Sequence, residues 1–318
     1  TMPSLSELTR VFTRIGLLSF GGPAAQIALM HRELVEQRDW LDEGTFLRAL
    51  SFAMLLPGPE AMQLATYAGW RLHGTLGGLI AGALFVLPGA AVVLCLAALY
   101  AAFGTVPLVE AMFLGIKAAV LAVVIGALLK VAQKALNRTD YWVVAGLSFV
   151  GIFVFALPFP LIILLAAAWG AARPGDAPPS AADVPLPRAA GTGRTVATWL
   201  ALWAAPVAVL WASGATFLTE VAVFFSKLAV VTFGGAYAVL AYMTQEVVQD
   251  HQWLTTQQMI DGLGLAETTP GPLILVTEFV AFLAGFASGG PGLAVAAAAL
   301  TLWVTSIPCF LWIFAGAP

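Results

Sequence analysis

Charge is scarcest in this sequence. Of 318 residues only 10% are charged, while 60% are hydrophobic and the mean hydropathy is +0.93. Soluble domains carry about 25% charged residues, so a large water-soluble core is excluded and a polytopic membrane protein is indicated. The net charge of −3 and the lack of any basic run exclude a nucleic-acid partner. Cysteine is nearly absent. Cys95 and Cys309 both sit in apolar runs, which excludes a disulfide framework and a thiolate metal pair. The histidines His31, His73 and His251 are scattered and form no His-Glu-x-x-His pair, so no metal site is expected. No nucleotide or cofactor fingerprint is present, and no cofactor is expected. Residues 1–11 are polar, and with Arg10 and Arg14 they lead straight into the first apolar stretch, unlike a cleavable signal peptide.

What is present is an internal duplication. The stretch Phe12–Pro59 carries Phe20-Gly21-Gly22-Pro23, Glu33, Trp40-Leu41 and Pro57-Gly58-Pro59. A second copy, Phe225–Pro272, carries Phe233-Gly234-Gly235, Glu246, Trp253-Leu254 and Pro270-Gly271-Pro272. Phe20 to Phe233, Glu33 to Glu246, Trp40 to Trp253 and Pro57 to Pro270 are each 213 residues apart, and no gap is needed. The chain therefore divides into an N-terminal repeat over 1–172, a linker rich in Pro, Ala and Gly over 173–195, and a C-terminal repeat over 196–318. The second repeat lacks a counterpart to the apolar segment 108–133, so either it is truncated at its C-terminus, the favoured reading, or the duplication is asymmetric.

Glycine and proline punctuate each copy. Gly-Gly-Pro suits irregular backbone followed by a helix start, and Pro-Gly-Pro repeats the device. The pieces on either side are shorter than the roughly 20 residues needed to cross a bilayer. They are either halves of a broken helix or arms of a re-entrant hairpin. In the run 74–103, Gly74, Gly78 and Gly82 fall on one face and predict close helix contact. A further break is expected at Pro158-Phe159-Pro160, and a Gly-rich turn at Gly289-Gly290-Pro291-Gly292 precedes the last run, 293–316.

The connectors after the first break differ in charge. The first holds Arg32 and Arg38, with Arg48 beyond, whereas Thr244–Gln258 has no Lys or Arg. Positive residues concentrate on the cytoplasmic side, which with Lys130, Lys134 and Arg138 predicts that the copies face opposite ways. The expected fold is an all-α polytopic membrane protein whose two homologous halves form an inverted repeat with helices broken at Gly-Gly and Pro-Gly-Pro.

A helix start exposes about four unpaired N–H groups and a partial charge of roughly +0.5. Four such starts, at Gly21-Gly22, Gly58, Gly234-Gly235 and Gly271, can form a cradle for an anion. The alternative is a set of structural kinks, and repetition in register favours the cradle. Arg14 and Lys227, also 213 apart, either supply fixed positive charge or snorkel to headgroups. Gln26, Gln63 and Thr66 in the first copy, and Thr232, Thr268 and Thr269 in the second, either donate to oxyanion oxygens or glue helices together. Glu60 and Glu267 are candidate proton carriers, with helix capping the other reading for Glu60. Glu33 and Glu246 are expected to be solvated structural residues of the connectors.

Four strings resemble the chromate transporter (CHR) family in its two-domain form. They are Ser19-Phe20-Gly21-Gly22-Pro23, Met54–Ala61, Val231–Tyr237 and Gly264–Leu273. The resemblance covers nearly the whole chain. It implies a multi-pass protein of the bacterial inner membrane that exports chromate as a secondary transporter, with halves of opposite topology, and confers resistance. The partners then expected are the chromate anion, with sulfate as an alternative, and the lipid bilayer. Oligomeric state is open, a homodimer included. Two other readings stand beside export: transport of another oxyanion, and a passive anion channel. A membrane-embedded enzyme is disfavoured, since no nucleophile, metal or cofactor signature appears.

Overall fold

The computed structural model describes residues 3–104, 138–155, 159–172, 192–233 and 236–317, with scattered positions between 106 and 136 and at 157. Gly234, Gly235, Lys130, Lys134, Pro158 and residues 173–191 of the expected linker lie outside the described residues. The described chain forms two compact units, residues 1–117 with 189–318, and residues 118–188. The first unit therefore contains both copies of the duplication.

In that unit the first copy builds α1 (Leu5–Leu18), α2 (Gly22–His31), α3 (Glu43–Leu55) and α4 (Glu60–Phe103). In the second unit, α5 (Thr139–Phe153) and α6 (Phe159–Ala171) meet where Tyr141 sets its ring edge-on to Trp169. The first unit resumes with α7 (Thr192–Ala212), which starts inside the stretch expected to be linker. The second copy builds α8 (Thr216–Val231), α9 (Ala236–Gln245), α10 (Thr256–Thr268) and α11 (Val276–Gly316). Every helix of the second copy has its mate in the first, and α3 and α10 match residue for residue at a separation of 213.

Local chemistry sets these ends. Ser4 caps α1 by accepting the Glu7 N–H, and Asp42 caps α3 through the Thr45 N–H. Thr255 and Gln258 form a capping box at α10. The first break follows from Gly21 and Gly22, whose φ of 84° and 77° suits glycine and not an L side chain, with Pro23 opening α2. At 14, 10 and 13 residues, α1, α2 and α3 are too short to cross a hydrocarbon layer of roughly 30 Å.

The two longest helices are folded in half. His73 and Gly74 interrupt α4, and Gly289 and Gly290 interrupt α11, so each is a helical hairpin. A methyl group placed on Gly69 would lie 2.2 Å from the Gly77 carbonyl oxygen, and one on Gly285 would lie 2.8 Å from that of Leu293. Gly74 is thus the hinge and not part of a packing stripe, a correction to the expected Gly74, Gly78, Gly82 face. Gly78 and Gly82 do pack closely, against Thr66, Phe310 and Phe314. The separation between mates is now 216 (Gly69 to Gly285, Gly74 to Gly290), because the turn Leu273–Leu275 inserts three residues before α11. Among the described residues three helices, α4, α7 and α11 with its preceding turn, are long and apolar enough to cross a membrane. At the centre α4 packs on α11, with α1 against α4 and α8 against α11. Phe12 and Phe225, a mated pair, are fully buried in these seams, as are Phe85 and Phe279.

Candidate functional site

The breaks of the two copies are cross-paired. The Gly58 N–H donates to the Thr232 carbonyl at 2.7 Å, and the Gly271 N–H donates to the Ser19 carbonyl at 3.1 Å. Gly58 and Gly271 are mates, and so are Ser19 and Thr232. Each Pro-Gly-Pro of one copy is therefore latched to the Gly-Gly break of the other. Proline has no N–H, so the central glycine carries the one donor in each tripeptide. Both glycines have φ near 100°, 113° at Gly58 and 94° at Gly271, which an L side chain rarely adopts. The packing is reciprocal as well. Gly271 lies on Gly89 of α4, and Gly58 lies on Cys309 of α11.

Two buried carboxamides hold the latches. Gln26 Nε2 donates to the Gly271 carbonyl at 2.7 Å and to the Ser19 carbonyl at 3.2 Å. Gln63 Nε2 donates to the Pro57 carbonyl at 2.6 Å. The side-chain hydroxyl of Ser19 adds a second acceptor for the Gly271 N–H, at 2.9 Å. These donors are engaged by the protein's own backbone. Both N–H bonds of Gln26 serve backbone carbonyls. Thr66, Thr232, Thr268 and Thr269 each donate to a carbonyl of the preceding turn. A hydroxyl on a helix reaches that carbonyl without leaving its own turn, so the nearest acceptor wins. What remains open toward a ligand is the start of α2, where Gly21, Ala24 and Ala25 are exposed and no side chain caps the helix. The start of α4 likewise has no side-chain cap, and Glu60 sits there at the positive end of the helix. Glu267 is buried one residue before the end of α10.

Arg14 and Lys227 do not join the latches. Arg14, with 56% of its side chain exposed, pairs with Glu33 at 3.7 Å. Arg38 binds the same carboxylate and lies over Trp40. Glu33 is fully buried, which corrects the expectation of a solvated residue. A buried carboxylate needs partners, and two arginines supply them. The mates in copy two are Lys227, Glu246, His251 and Trp253. There Lys227, Glu246, His251, Tyr242 and Glu220 line a cavity of about 270 Å³, and His251 stacks on Trp253 at 4.2 Å. Both connectors begin with a rare π-turn, Arg32–Glu36 and Glu246–Asp250. Both also hold a non-glycine residue at positive φ, Asp39 and Gln252. His31 closes the first connector through Glu43 at 2.7 Å and Glu36 at 3.1 Å. Its hydrogen bond to Glu43 raises its pKa above the ordinary histidine value against an opposing effect of burial. Asp42 is held below the usual carboxylate range by hydrogen bonds from Thr45.

Ser19 is a residue of the joint to which its motif alone assigns no role. The signal was available, because a hydroxyl residue precedes Phe-Gly-Gly in both copies. Gly89 and Cys309 had no such signal, since their role exists only once the copies interlock.

The chain matches the family model described as chromate transporter over residues 6–171 and 219–318. It is 32% identical over 324 residues to the chromate transport protein of Cupriavidus metallidurans, covering 99% of this chain and 74% of that protein. It is 34% identical over 321 residues to the chromate transport protein of Pseudomonas aeruginosa, covering 96% and 71%. It is also 33% identical over 172 residues to the uncharacterized transporter YwrB of Bacillus subtilis, covering 52% of this chain and 85% of that protein. No solved structure matches it.

Proposed function

The chain belongs to the chromate transporter family, and from that premise we propose that it is a secondary active exporter of chromate in the bacterial inner membrane. The observation that carries this reading is the pair of cross-copy latches, Gly58 to Thr232 and Gly271 to Ser19. Two like joints between two like copies can open one at a time, which is what alternating access requires. The anion lies at the uncapped starts of α2 and α4, held by backbone N–H groups at Gly21 and Gly22 and beside Gly58. Gly234 and Gly235 are the expected counterparts in the second copy, while Gly271, Thr268 and Thr269 shape that break, their N–H and hydroxyl donors being already bonded. Gln26 and Gln63 position these breaks. Arg14 and Lys227 act from the connectors by drawing the dianion in. Glu60 and Glu267 are the acids nearest the breaks in sequence and the first candidates for proton coupling.

The test is radiolabelled chromate uptake into liposomes holding the purified protein, under imposed pH or voltage gradients and with sulfate as competitor. Saturable uptake that follows the gradient is expected. Current that never saturates and ignores a countergradient means a channel, and stronger binding of sulfate than of chromate reassigns the substrate. The opposed topology has its own check. A cysteine at Gln37 and one at Asp250 are expected to be labelled from opposite sides, and labelling from one side removes the inverted arrangement.

A further inference from the structure

The second copy's hairpin contains a buried polar pair that the site above does not use. The hinge at Gly289–Gly290 folds the legs of α11 so that Gly285 packs against Ala294. Seven residues make about two helical turns and return to the same face. Seven residues beyond that contact, one on each leg, stand Glu278 and Thr301, which are therefore opposite each other. Glu278 is 3% exposed and Thr301 0%. Glu278 Oε2 and Thr301 Oγ1 both lack a hydrogen-bond partner among the described residues. Thr301 departs here from Thr66, Thr232 and Thr305, whose hydroxyls all bond a carbonyl one turn back.

The pair exists in one copy. At the separation of 216 that relates the hairpins, the mates are Met62 and Phe85, both buried and apolar. A carboxyl buried without donors costs several kcal/mol when charged, so it is not there for packing, and an ionisable group within a membrane segment is functional by default. The elements packed on α11 bring other titratable groups: Glu60, Arg71 and Tyr100 from α4, Asp261 and Glu267 from α10, Glu220 and Lys227 from α8, and Arg194 from α7. Asp261 accepts the Tyr100 hydroxyl at 2.7 Å, beside Phe279. None of these groups forms an ion pair with Glu278 among the described residues.

We propose that Glu278, with Thr301 opposite, is the proton site coupled to anion binding. This rests on the transport reading above and replaces Glu60 and Glu267 as the acid. Seven residues separate Glu278 from Gly271, most of them in the 3₁₀ turn Leu273–Leu275 and the first turn of α11, so the two lie within roughly 15 Å. At that range a dianion at the break repels a carboxylate and favours its protonated form. The sign follows by linkage: binding of the anion draws one proton onto the carboxyl, and release of the anion returns it.

The experiment is calorimetric chromate binding to the purified full chain in buffers of differing ionisation enthalpy. The pH is scanned upward from the point where chromate itself carries no proton, so that any uptake belongs to the protein. We expect a window in which wild type takes up about one proton per chromate. Glu278→Gln, a near-isostere, binds chromate with no uptake and with affinity independent of pH. Glu278→Asp keeps the uptake, and Thr301→Val keeps it but moves its pH window. Undiminished uptake in Glu278→Gln, loss of uptake instead in Glu60→Gln or Glu267→Gln, or no uptake by wild type at any pH overturns the assignment. Wild type that binds no chromate overturns the transport reading itself, a different result from binding without uptake.

Discussion

The two copies carry the same breaks and fasten them unequally. At the Ser19–Gly271 latch the Gly271 N–H meets both a carbonyl and a hydroxyl, and Gln26 bonds each side of the joint. At the Thr232–Gly58 latch a single backbone bond spans the copies among the described residues, and the Thr232 hydroxyl is turned to Leu228. Val239 stands where the first copy has Gln26. Hydrogen bonds between membrane helices contribute about 0.6–2 kcal/mol each. The Thr232–Gly58 latch is thus the weaker joint by about that amount or more, and the one expected to open first. The connectors differ in the same spirit. Glu33 is closed in by Arg14 and Arg38, while its mate Glu246 lines an open cavity with Lys227. A duplicated plan with unequal fastenings is biased toward one face, which a strictly symmetric dimer of halves would not be.

The largest effect is expected at Gly89. A methyl group there would lie 2.1 Å from the Pro270 carbonyl oxygen, a backbone atom that cannot step aside. Gly89→Ala is expected to push the second break off α4 and weaken chromate binding by more than a hundred-fold, or about 3 kcal/mol. On the other side Cys309→Ala removes an atom instead of adding one, and should cost only about 1 kcal/mol of stability for the space it leaves. Calorimetric binding and thermal unfolding of both variants decide whether the breaks are the site. Equal, mild effects would mean that they are not.

Charge at the connectors comes next. Lys227→Gln is expected to weaken chromate binding about ten-fold, and Arg14→Gln by less, because Arg14 is already engaged by Glu33. The reverse order would mean that the first connector, and not the open cavity, guides the anion.

The latches themselves give smaller effects. Gln26→Leu removes two bonds and leaves the Gly271 carbonyl without its donor, for about 1–3 kcal/mol in unfolding free energy. Ser19→Ala removes one acceptor and about 1 kcal/mol, and it makes the two latches alike. Hydrogen exchange at Gly58 and Gly271 is the direct measurement: slower exchange at Gly271 in wild type, converging with Gly58 in Ser19→Ala. Equal exchange in wild type would remove the inequality.

The smallest effect lies at His31. Its pKa is raised in the folded chain, so its contribution is fully present below the unfolded value near 6.5 and is lost as pH rises through the folded value. For a partly exposed group screened by solvent this amounts to a few tenths of a kcal/mol. Its mate is Thr244, which has no charge to titrate. His31→Gln should therefore flatten the acid-side stability profile of wild type, as read by thermal unfolding at several pH values. An unchanged profile would assign the dependence elsewhere.

The duplication and its breaks were readable from the sequence because their causes are local. Glycine at positive φ and a proline that opens a helix act within a few residues, so the C-terminal end of α1, the start of α2 and the C-terminal ends of α3 and α10 fall at the Gly-Gly and Pro-Gly-Pro motifs. The charge pattern of the connectors was equally plain. Tertiary structure alone decided which break meets which. Ser19 and Gly271 are 252 positions apart, and nothing periodic in the chain announces that they bond each other rather than their own copy's partners. Burial was also decided there. Glu33 reads as a connector carboxylate until two arginines close over it, and Gln26 reads equally as an anion donor or as glue between helices until two carbonyls take both of its hydrogens. The sequence by itself thus determined where the backbone must break. The interlocking of the copies decided what each broken end faces, because a donor's partner is set by the nearest acceptor in space, and that is known only after the helices pack.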